Sequence, residues 1–396
     1  MVMKKVLKKM AMLSLSVSVL TAAAVYGGQP VLAEETEAAQ EAVTADEDVD
    51  GELIVDHEEE LKYAINFSMT HYKGGYISFK ILNGTEADLT YLIVPEGKSV
   101  PEGLGDDYVI LQQPITSIRC CSGSASTINA FGGLDCVTSL GTDVSGLAVQ
   151  DLIDAMNEGK IVYSGSYKEP DYEMITAMDT QLVIDANLLD GNETVKEKYT
   201  ELGIPFLAIR NGKEAHPLGY NEWAKVLGAV VGKWDEANAY FDSVVEKVES
   251  ISQVENTGKT VAMLYFSSDG DKVYAARGGD CWATLANLAG GNYVMADFEG
   301  DQTGTATITL EDFYDMCGEA DYIFNLNMAA RVHTMDEMLD LIPLLSDCKA
   351  VKEGHMFCAY DRIYQFNYDY AGMISDMNSI LTDETVEDTT YFHKAN

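Results

Sequence analysis

The chain has 396 residues, enough for two domains that each bury a core, and its 64 Asp and Glu against 26 Lys and Arg give a formal net charge of −38. That balance excludes nucleic acid and anionic membrane surfaces as partners, since both require clustered Lys and Arg. With 47% hydrophobic and 23% charged residues the composition is otherwise that of a globular protein.

Lys4, Lys5, Lys8 and Lys9 precede an uncharged run over 10–25, and Val31-Leu32-Ala33 follows it with small side chains where a signal peptidase reads. A helix over that run falls short of a bilayer core of about 30 Å, so the sequence predicts a signal peptide over 1–33 and an exported protein. The first cysteine is Cys120, well past the apolar run, so the expectation is a periplasmic or extracellular protein without a lipid anchor. Residues 34–60 contain 13 acids and no Lys or Arg, which predicts a disordered acidic leader. The seven cysteines are an odd count with no CxxC spacing; they read mostly as buried small apolar side chains, with room for one or two disulfides.

Beyond residue 60, short β-rich apolar runs alternate with helical periodicity. Strands are predicted over 77–82, 89–94, 108–111, 116–119, 137–140, 161–163, 182–184 and 206–209, with helices over 124–131, 149–157, 171–178 and 193–202 between the later ones. Apolar residues then keep helical spacing from Asn221 to Ile251 without a proline, which predicts one unbroken helix of about 45 Å. Strands over 260–266, 273–276, 322–326 and 356–359 and helices over 281–289, 310–317, 335–345 and 368–381 complete the chain, with Thr309 and Asp312 spaced as a capping box. The fold class expected is α/β: two Rossmann-like lobes with largely parallel sheets, 61–218 and 255–396, joined by a single long backbone helix over 219–254.

The five arginines, Arg119, Arg210, Arg277, Arg331 and Arg362, each fall at or just beyond the C-terminal end of a predicted strand. In open α/β sheets the ligand crevice lies there, and guanidinium groups recognise carboxylates and phosphates, so an anionic ligand between the lobes is expected. Tyr163, Tyr167, Trp282 and Tyr364 lie on the same loops and suit a ring-bearing ligand.

Several short motifs then fall in a recognisable order. Pro170-Asp171-Tyr172-Glu173-Met174-Ile175 leads into Thr180-Gln181-Leu182-Val183-Ile184, with Thr-Gln where Pro-Asp is usual. Leu202-Gly203-Ile204-Pro205, Val231-Gly232-Lys233, Ala289-Gly290-Gly291-Asn292, Ala320-Asp321-Tyr322-Ile323 and Ala350-Val351-Lys352-Glu353-Gly354 follow. Over roughly 105–385 the chain resembles class III solute-binding proteins of ABC importers, the group that delivers ferric siderophores, haem and vitamin B12. The resemblance implies capture of an iron complex, siderophore before haem, between the lobes and delivery to an ABC permease dimer, with cobalamin or another corrinoid as the alternative. The strand-end arginines and loop aromatics then name the expected ligand contacts as Arg119, Tyr163, Tyr167, Arg277, Trp282, Arg331 and Arg362. The first-lobe motif of the resemblance places Glu173 on the face that docks the permease. No motif fixes the second-lobe residue, for which Asp280, before the helix leading to Ala289-Gly290-Gly291-Asn292, is the expectation, with helix N-capping as its other role. His216 and His333 are the imidazoles available to a haem iron.

Two other classes fit less well. A manganese or zinc carrier of the same architecture needs about three converging His or carboxylate ligands, and no HxH cluster or zinc spacing is present. An enzyme needs a nucleophile with a base, a phosphate loop or a metal site, and the chain has no GxSxG, GxxxxGK[ST], HExxH or GxGxxG. No resident cofactor, metal site or catalysis is expected.

Overall fold

The structure, a computed structural model, describes residues 52–83, 89–252, 255–328 and 330–396. The expected signal peptide and the expected leader up to residue 51 lie outside these residues.

The first lobe carries two sheets. β1 (Val55–Glu58), β2 (Phe67–Tyr72), β3 (Ile77–Ile81), β4 (Thr90–Val94) and β5 (Tyr108–Gln112) form one in sequence order, antiparallel except for the parallel β4–β5 pair. Its apolar face joins the core of the lobe: the Phe67 ring lies 4.8 Å from that of Trp223, and the Tyr91 hydroxyl donates to the Phe206 carbonyl at 2.9 Å. This sheet corrects the expected leader, because β1 lies inside 34–60. All four β1 residues are exposed, and the strand is held by its backbone ladder to β2 at the sheet edge. A count of acids does not register such pairing, since on an edge strand charged side chains point to water.

The second sheet is wholly parallel, in the order β10-β9-β6-β7-β8, from β6 (Ile118–Cys120), β7 (Val137–Leu140), β8 (Val162–Tyr163), β9 (Leu182–Ala186) and β10 (Phe206–Ile209). Helices α1 (Ser122–Ala130), α2 (Gln150–Asn157), α3 (Tyr172–Ala177) and α4 (Glu193–Glu201) connect these strands. Ile118, Leu182, Ile184 and Leu207 are buried on one face of this sheet, and Val183 and Ala208 on the other, as a sheet covered on both sides requires.

The connection to the second lobe is helical but in three pieces: α5 (Pro217–Glu222), α6 (Ala224–Val230) and α7 (Trp234–Ser252). The expectation of one unbroken helix over 219–254 is corrected at two points. Trp223 separates α5 from α6. After α6, Gly232 adopts φ 70° and the Lys233 N–H reaches back to the Gly228 carbonyl at 2.8 Å, the six-to-one bond of a helix ended by a left-handed glycine. The chain turns there, and α7 packs back on α6 so closely that a Cβ on Gly228 would lie 2.3 Å from that of Ala237. The 19 residues of α7 make a rod of about 28 Å.

The second lobe has one mixed sheet, β14-β12-β11-β15-β16-β17, with short β13 beside the start of β11: β11 (Thr260–Phe266), β12 (Lys272–Ala276), β13 (Asn292–Tyr293), β14 (Thr305–Thr309), β15 (Tyr322–Asn325), β16 (Met356–Ala359) and β17 (Phe392–Lys394). β11, β13, β15 and β16 run parallel; β12, β14 and β17 add antiparallel edges. Helices α8 (Cys281–Leu288), α9 (Leu310–Cys317), α10 (Met335–Leu341), α11 (Lys349–Lys352) and α12 (Tyr370–Thr382) surround it. The Thr309–Asp312 capping box forms at the start of α9. All seven cysteines are free; six are buried and Cys121 partly so.

Candidate functional site

The parallel sheet sends the C-terminal ends of its five strands to one place. β6 runs through Cys121 into α1, β7 ends at Gly141 and Thr142, β8 leads to Ser166 and Tyr167, β9 ends on Asp185 and Ala186, and β10 leads to Asn211 and Gly212. All of these line a cavity of about 530 Å³. Tyr220 of α5 contributes a further wall, and Tyr364 and Asn367, from the helical turn Ile363–Asp369 of the second lobe, close the other side. This is the crevice position of open α/β folds, and the volume falls in the usual range for a small-molecule site of about 300–1,000 Å³.

The lining is rich in donors. Cys121, the N-cap of α1, makes no side-chain cap bond, and Ser122, Gly123 and Ser124 in the first helical turn line the cavity. Their N–H groups carry the positive end of the helix dipole, which favours oxygen acceptors. Hydroxyls of Ser122, Ser124, Thr142, Ser166 and the three tyrosines surround it. Burial pushes the Cys121 thiol up to about 11, so it stays protonated at neutral pH.

Beneath the lining lies a buried ion pair. Arg119 is fully buried; its Nη1 donates to Asp185 Oδ2 at 3.1 Å and its Nη2 to the Gly165 carbonyl at 2.8 Å. A Cβ on Gly141 would come within 2.9 Å of Arg119 Nη2, so the guanidinium sits directly under that glycine. Burial raises the Asp185 carboxyl; the Arg119 charge and the Ala186 N–H bond at 3.0 Å pull it down. Gly165, at φ +81°, turns so tightly that a Cβ would meet the Glu169 carbonyl at 2.4 Å, and Arg119 clamps this turn onto Asp185.

Comparison with known proteins identifies the architecture. The sequence profile of the family described as periplasmic binding protein matches residues 134–362. The chain belongs to this family. In fold it resembles a periplasmic haem-binding protein from Pseudomonas aeruginosa, with a TM-score of 0.56 at 12% identity, covering 72% of this chain and 98% of that one. Two relatives in Methanocaldococcus jannaschii, both named uncharacterised lipoproteins, are 28% identical over 85% of this chain and 24% identical over 84%, covering 85% and 86% of their own lengths. This periplasmic binding protein is of class III and has the substrate-binding function of ABC systems. The names of the two relatives overturn the expectation of a protein without a lipid anchor. That expectation rested on the absence of an early cysteine alone, and relatives matched along most of their length carry the name lipoprotein.

The cavity of the binding protein is not built from arginines as expected; none of the five lines it. Arg119 stands at the right strand end but points into the lobe, as the counter-charge of Asp185. Arg210 is paired with Asp190. Arg277 pairs with Glu299 and donates to the Thr305 carbonyl at 2.7 Å, tying together a loop of the second lobe. Arg331 is exposed with a left-handed φ of 50°. Arg362 donates from Nη2 to the Ser145 carbonyl at 2.8 Å and so joins the lobes beside the cavity without lining it. For Arg119, Arg210 and Arg362 the reason is that a strand end fixes where a residue sits, not which way its side chain points, and the guanidinium finds carboxylates and carbonyls of its own chain. Arg277 follows β12, which runs antiparallel to β11 and so ends at the opposite edge of the sheet.

Of the expected aromatic contacts, Tyr167 lines the cavity, and Tyr364, noted among the loop aromatics, does so from the opposite lobe. Tyr163 is exposed at the end of β8, and Trp282 is buried against Tyr370 in the second-lobe core, so both are corrected as ligand contacts. His216 accepts from the Leu218 N–H at 3.1 Å as the N-cap of α5; His333 lies 2.9 Å from Asn327 Nδ2 and 3.4 Å from His393, in a separate depression. Neither imidazole reaches the cavity. Glu173 is exposed in the first turn of α3, as a docking carboxylate needs. Asp280 is buried and spends its carboxylate on the Trp282 and Gly304 N–H groups at 3.0 and 2.6 Å, so its docking role is withdrawn in favour of N-capping.

Sequence reasoning missed Ser122–Ser124, Asp185, Asn211, Tyr220 and Asn367. The signal for the first three was present: Cys121-Ser122-Gly123-Ser124 directly follows a strand and opens a helix, the small-residue turn that leaves N–H groups accessible to a ligand.

Proposed function

We propose that this binding protein captures an iron complex, a ferric siderophore or haem, in the cavity between α1 and the Ile363–Asp369 turn, and passes it to an ABC permease dimer. The observation that carries this reading is the convergence of the α1 N-terminus, four hydroxyl-bearing Ser and Thr side chains and three tyrosines on one cavity. Iron chelates present carbonyl, carboxylate or phenolate oxygens, which such donors recognise without a fixed cationic side chain. For haem, Tyr167 and Tyr364 are the side chains placed to ligate iron, since burial holds the Cys121 thiol and the Tyr220 hydroxyl in their protonated forms. The similarity in fold to a haem-binding protein supports the same ligand class. The names of the lipoprotein relatives support a place at the outer face of the membrane beside the permease. Glu173 is the first-lobe carboxylate that docks there.

One observation favours a second reading, a corrinoid. Among the described residues the cavity lining includes no Lys, Arg or His, and three tyrosines suit a large neutral ring. Titration of purified protein with ferric siderophores, haem and cobalamin, followed by Tyr and Trp fluorescence quenching, separates the two. Saturable binding of a ferric complex or haem supports the first reading; binding of cobalamin with no response to the iron compounds replaces it with the second.

A further inference from the structure

The edge of the first sheet holds a cluster unrelated to the cavity. His57 of β1 lies directly opposite His71 of β2 in the ladder, so both side chains emerge from the same face. Glu59 is two residues beyond His57 and therefore returns to that face; its N–H bonds the Met69 carbonyl at 3.0 Å, which extends the pairing past the end of β1. The two imidazoles stack, with centroids 4.4 Å apart and planes 5° from parallel. Their Nε2 atoms approach Glu59 Oε2 at 4.0 Å from His57 and 3.4 Å from His71, and the three donor atoms lie within 4.8 Å of one another. We propose that His57, Glu59 and His71 bind a divalent transition-metal ion, with zinc as the best fit, and that the ion pins β1 to the lobe.

The surroundings have the features of a metal's outer shell. Asp56 Oδ2 lies 2.8 Å from His57 Nδ1, which places the ring hydrogen there and leaves the Nε2 lone pair toward the cluster. Lys225 donates to Glu59 Oε1 at 2.6 Å, leaving Oε2 as the free ligand atom. His71 Nε2 is buried without a hydrogen bond of good geometry; its polar neighbour in the cluster is Glu59 Oε2 at 3.4 Å. Charge also balances. Asp56, Glu59 and the fully buried Glu222, which Lys225 also contacts at 3.2 Å, supply three negative charges against one positive, and a divalent ion neutralises the remainder.

Two imidazole nitrogens and one carboxylate oxygen form a donor set typical of zinc with water in the fourth position. Bonds of about 2.1 Å at the tetrahedral angle separate two ligand atoms by about 3.4 Å. The His71–Glu59 distance already meets this; His57, whose side chain is 54% exposed, must turn out of the parallel stack so that both lone pairs meet, closing about 0.6 Å toward Glu59 and up to about 1.4 Å toward His71. The ion would cross-link side chains of the edge strand to β2, beside the Glu59–Lys225 pair that already ties its end to α6.

The test uses the full chain, stripped by chelator and titrated with Zn2+ by calorimetry and with Co2+ by visible absorption. One equivalent of each should bind in the wild type, and Co2+ should quench Trp234, whose ring meets that of His71 at 4.8 Å. His57→Ala, at an exposed position outside both cores, should fold normally and lose that equivalent, and Asp56→Ala should weaken it about tenfold. Added Zn2+ should raise the melting temperature of the wild type and not that of His57→Ala. A wild type that takes up no stoichiometric Zn2+, or a folded His57→Ala that binds it as tightly as the wild type, overturns the proposal.

Discussion

Replacing Arg119 by Met tests whether this arginine holds ligand or holds the floor of the cavity. In the structure its guanidinium is fully buried, bonded to Asp185 at 3.1 Å and to the Gly165 carbonyl at 2.8 Å. Methionine fills much of the volume but leaves the Asp185 carboxylate buried without its counter-charge. Removing one partner of a buried pair costs about 3–5 kcal/mol, whereas replacing both by neutral groups of similar size is close to neutral. Arg119→Met is therefore expected to lose about 3–5 kcal/mol in urea unfolding, and the double variant Arg119→Met with Asp185→Asn to recover most of it. The loss should depend on pH. Burial raises the Asp185 carboxyl in the folded protein above its value in the unfolded chain, so stability contributed there is present at low pH and is lost as pH rises through the folded value. Without Arg119 the carboxyl rises further, so the penalty is full at neutral pH and shrinks in acid, where Asp185 takes up a proton. A penalty below about 1 kcal/mol, or one equal at pH 4 and pH 8, would refute the reasoning, most clearly if ligand affinity collapsed while stability held.

Glu173→Ala is expected to leave ligand affinity unchanged and to lower ligand uptake by cells carrying the permease, because the side chain is exposed on α3 away from the cavity lining. Asp280→Ala should do the opposite of a docking variant: it strands the Trp282 and Gly304 N–H groups, costs about 1–2 kcal/mol in thermal or denaturant unfolding, and leaves uptake per folded molecule intact. Gly228→Ala should destabilise the protein by about 1–3 kcal/mol in denaturant unfolding, because the added Cβ meets that of Ala237 at 2.3 Å where α6 and α7 cross.

Most strands and helices were legible because periodicity is local. α9 runs over Leu310–Cys317 as expected, and α2 and α4 differ from expectation by one residue at one end. The errors lie where local pattern and three-dimensional placement part. Gly232 was read as part of a helix because its neighbours keep the apolar period; its positive φ ends α6 and becomes evident only once α7 packs back on Gly228. β1 was read as leader because its charge content is that of an unstructured segment, yet an edge strand keeps its acids in water and needs only backbone partners from β2. That same misreading hid the His57–Glu59–His71 cluster: His57 and Glu59 lay in the segment set aside, and only the register of β1 on β2 brings His71 across from them. The arginines mark a third limit. Their strand-end positions were read correctly, but Arg119 turns inward and Arg277 turns to Glu299, and side-chain direction at a strand end is decided by the nearest acceptor.

The joint between the lobes bears on how the ligand enters. The Ile363–Asp369 turn belongs to the second lobe by chain order, yet Gln365, fully buried, accepts from the Ala148 N–H at 2.9 Å and donates to the Gly146 carbonyl at 2.8 Å. Arg362 bonds the Ser145 carbonyl at one end of the turn, and Asn221 of α5 donates to the Asn367 and Tyr368 carbonyls at the other, both at 3.0 Å. Tyr364 and Asn367, which wall the cavity, are thus anchored to the first lobe and to the interlobe helices. Swinging the lobes apart requires these bonds, part-buried except for the exposed one from Arg362, to be exchanged for water together, at about 0.5–1.5 kcal/mol each. Small rotations of Tyr167 and Tyr364 require none of that. Ligand entry by side-chain movement at a largely fixed cavity is therefore the less costly route, and it accounts for a site whose walls come from both lobes while its donors come from the rigid end of one parallel sheet.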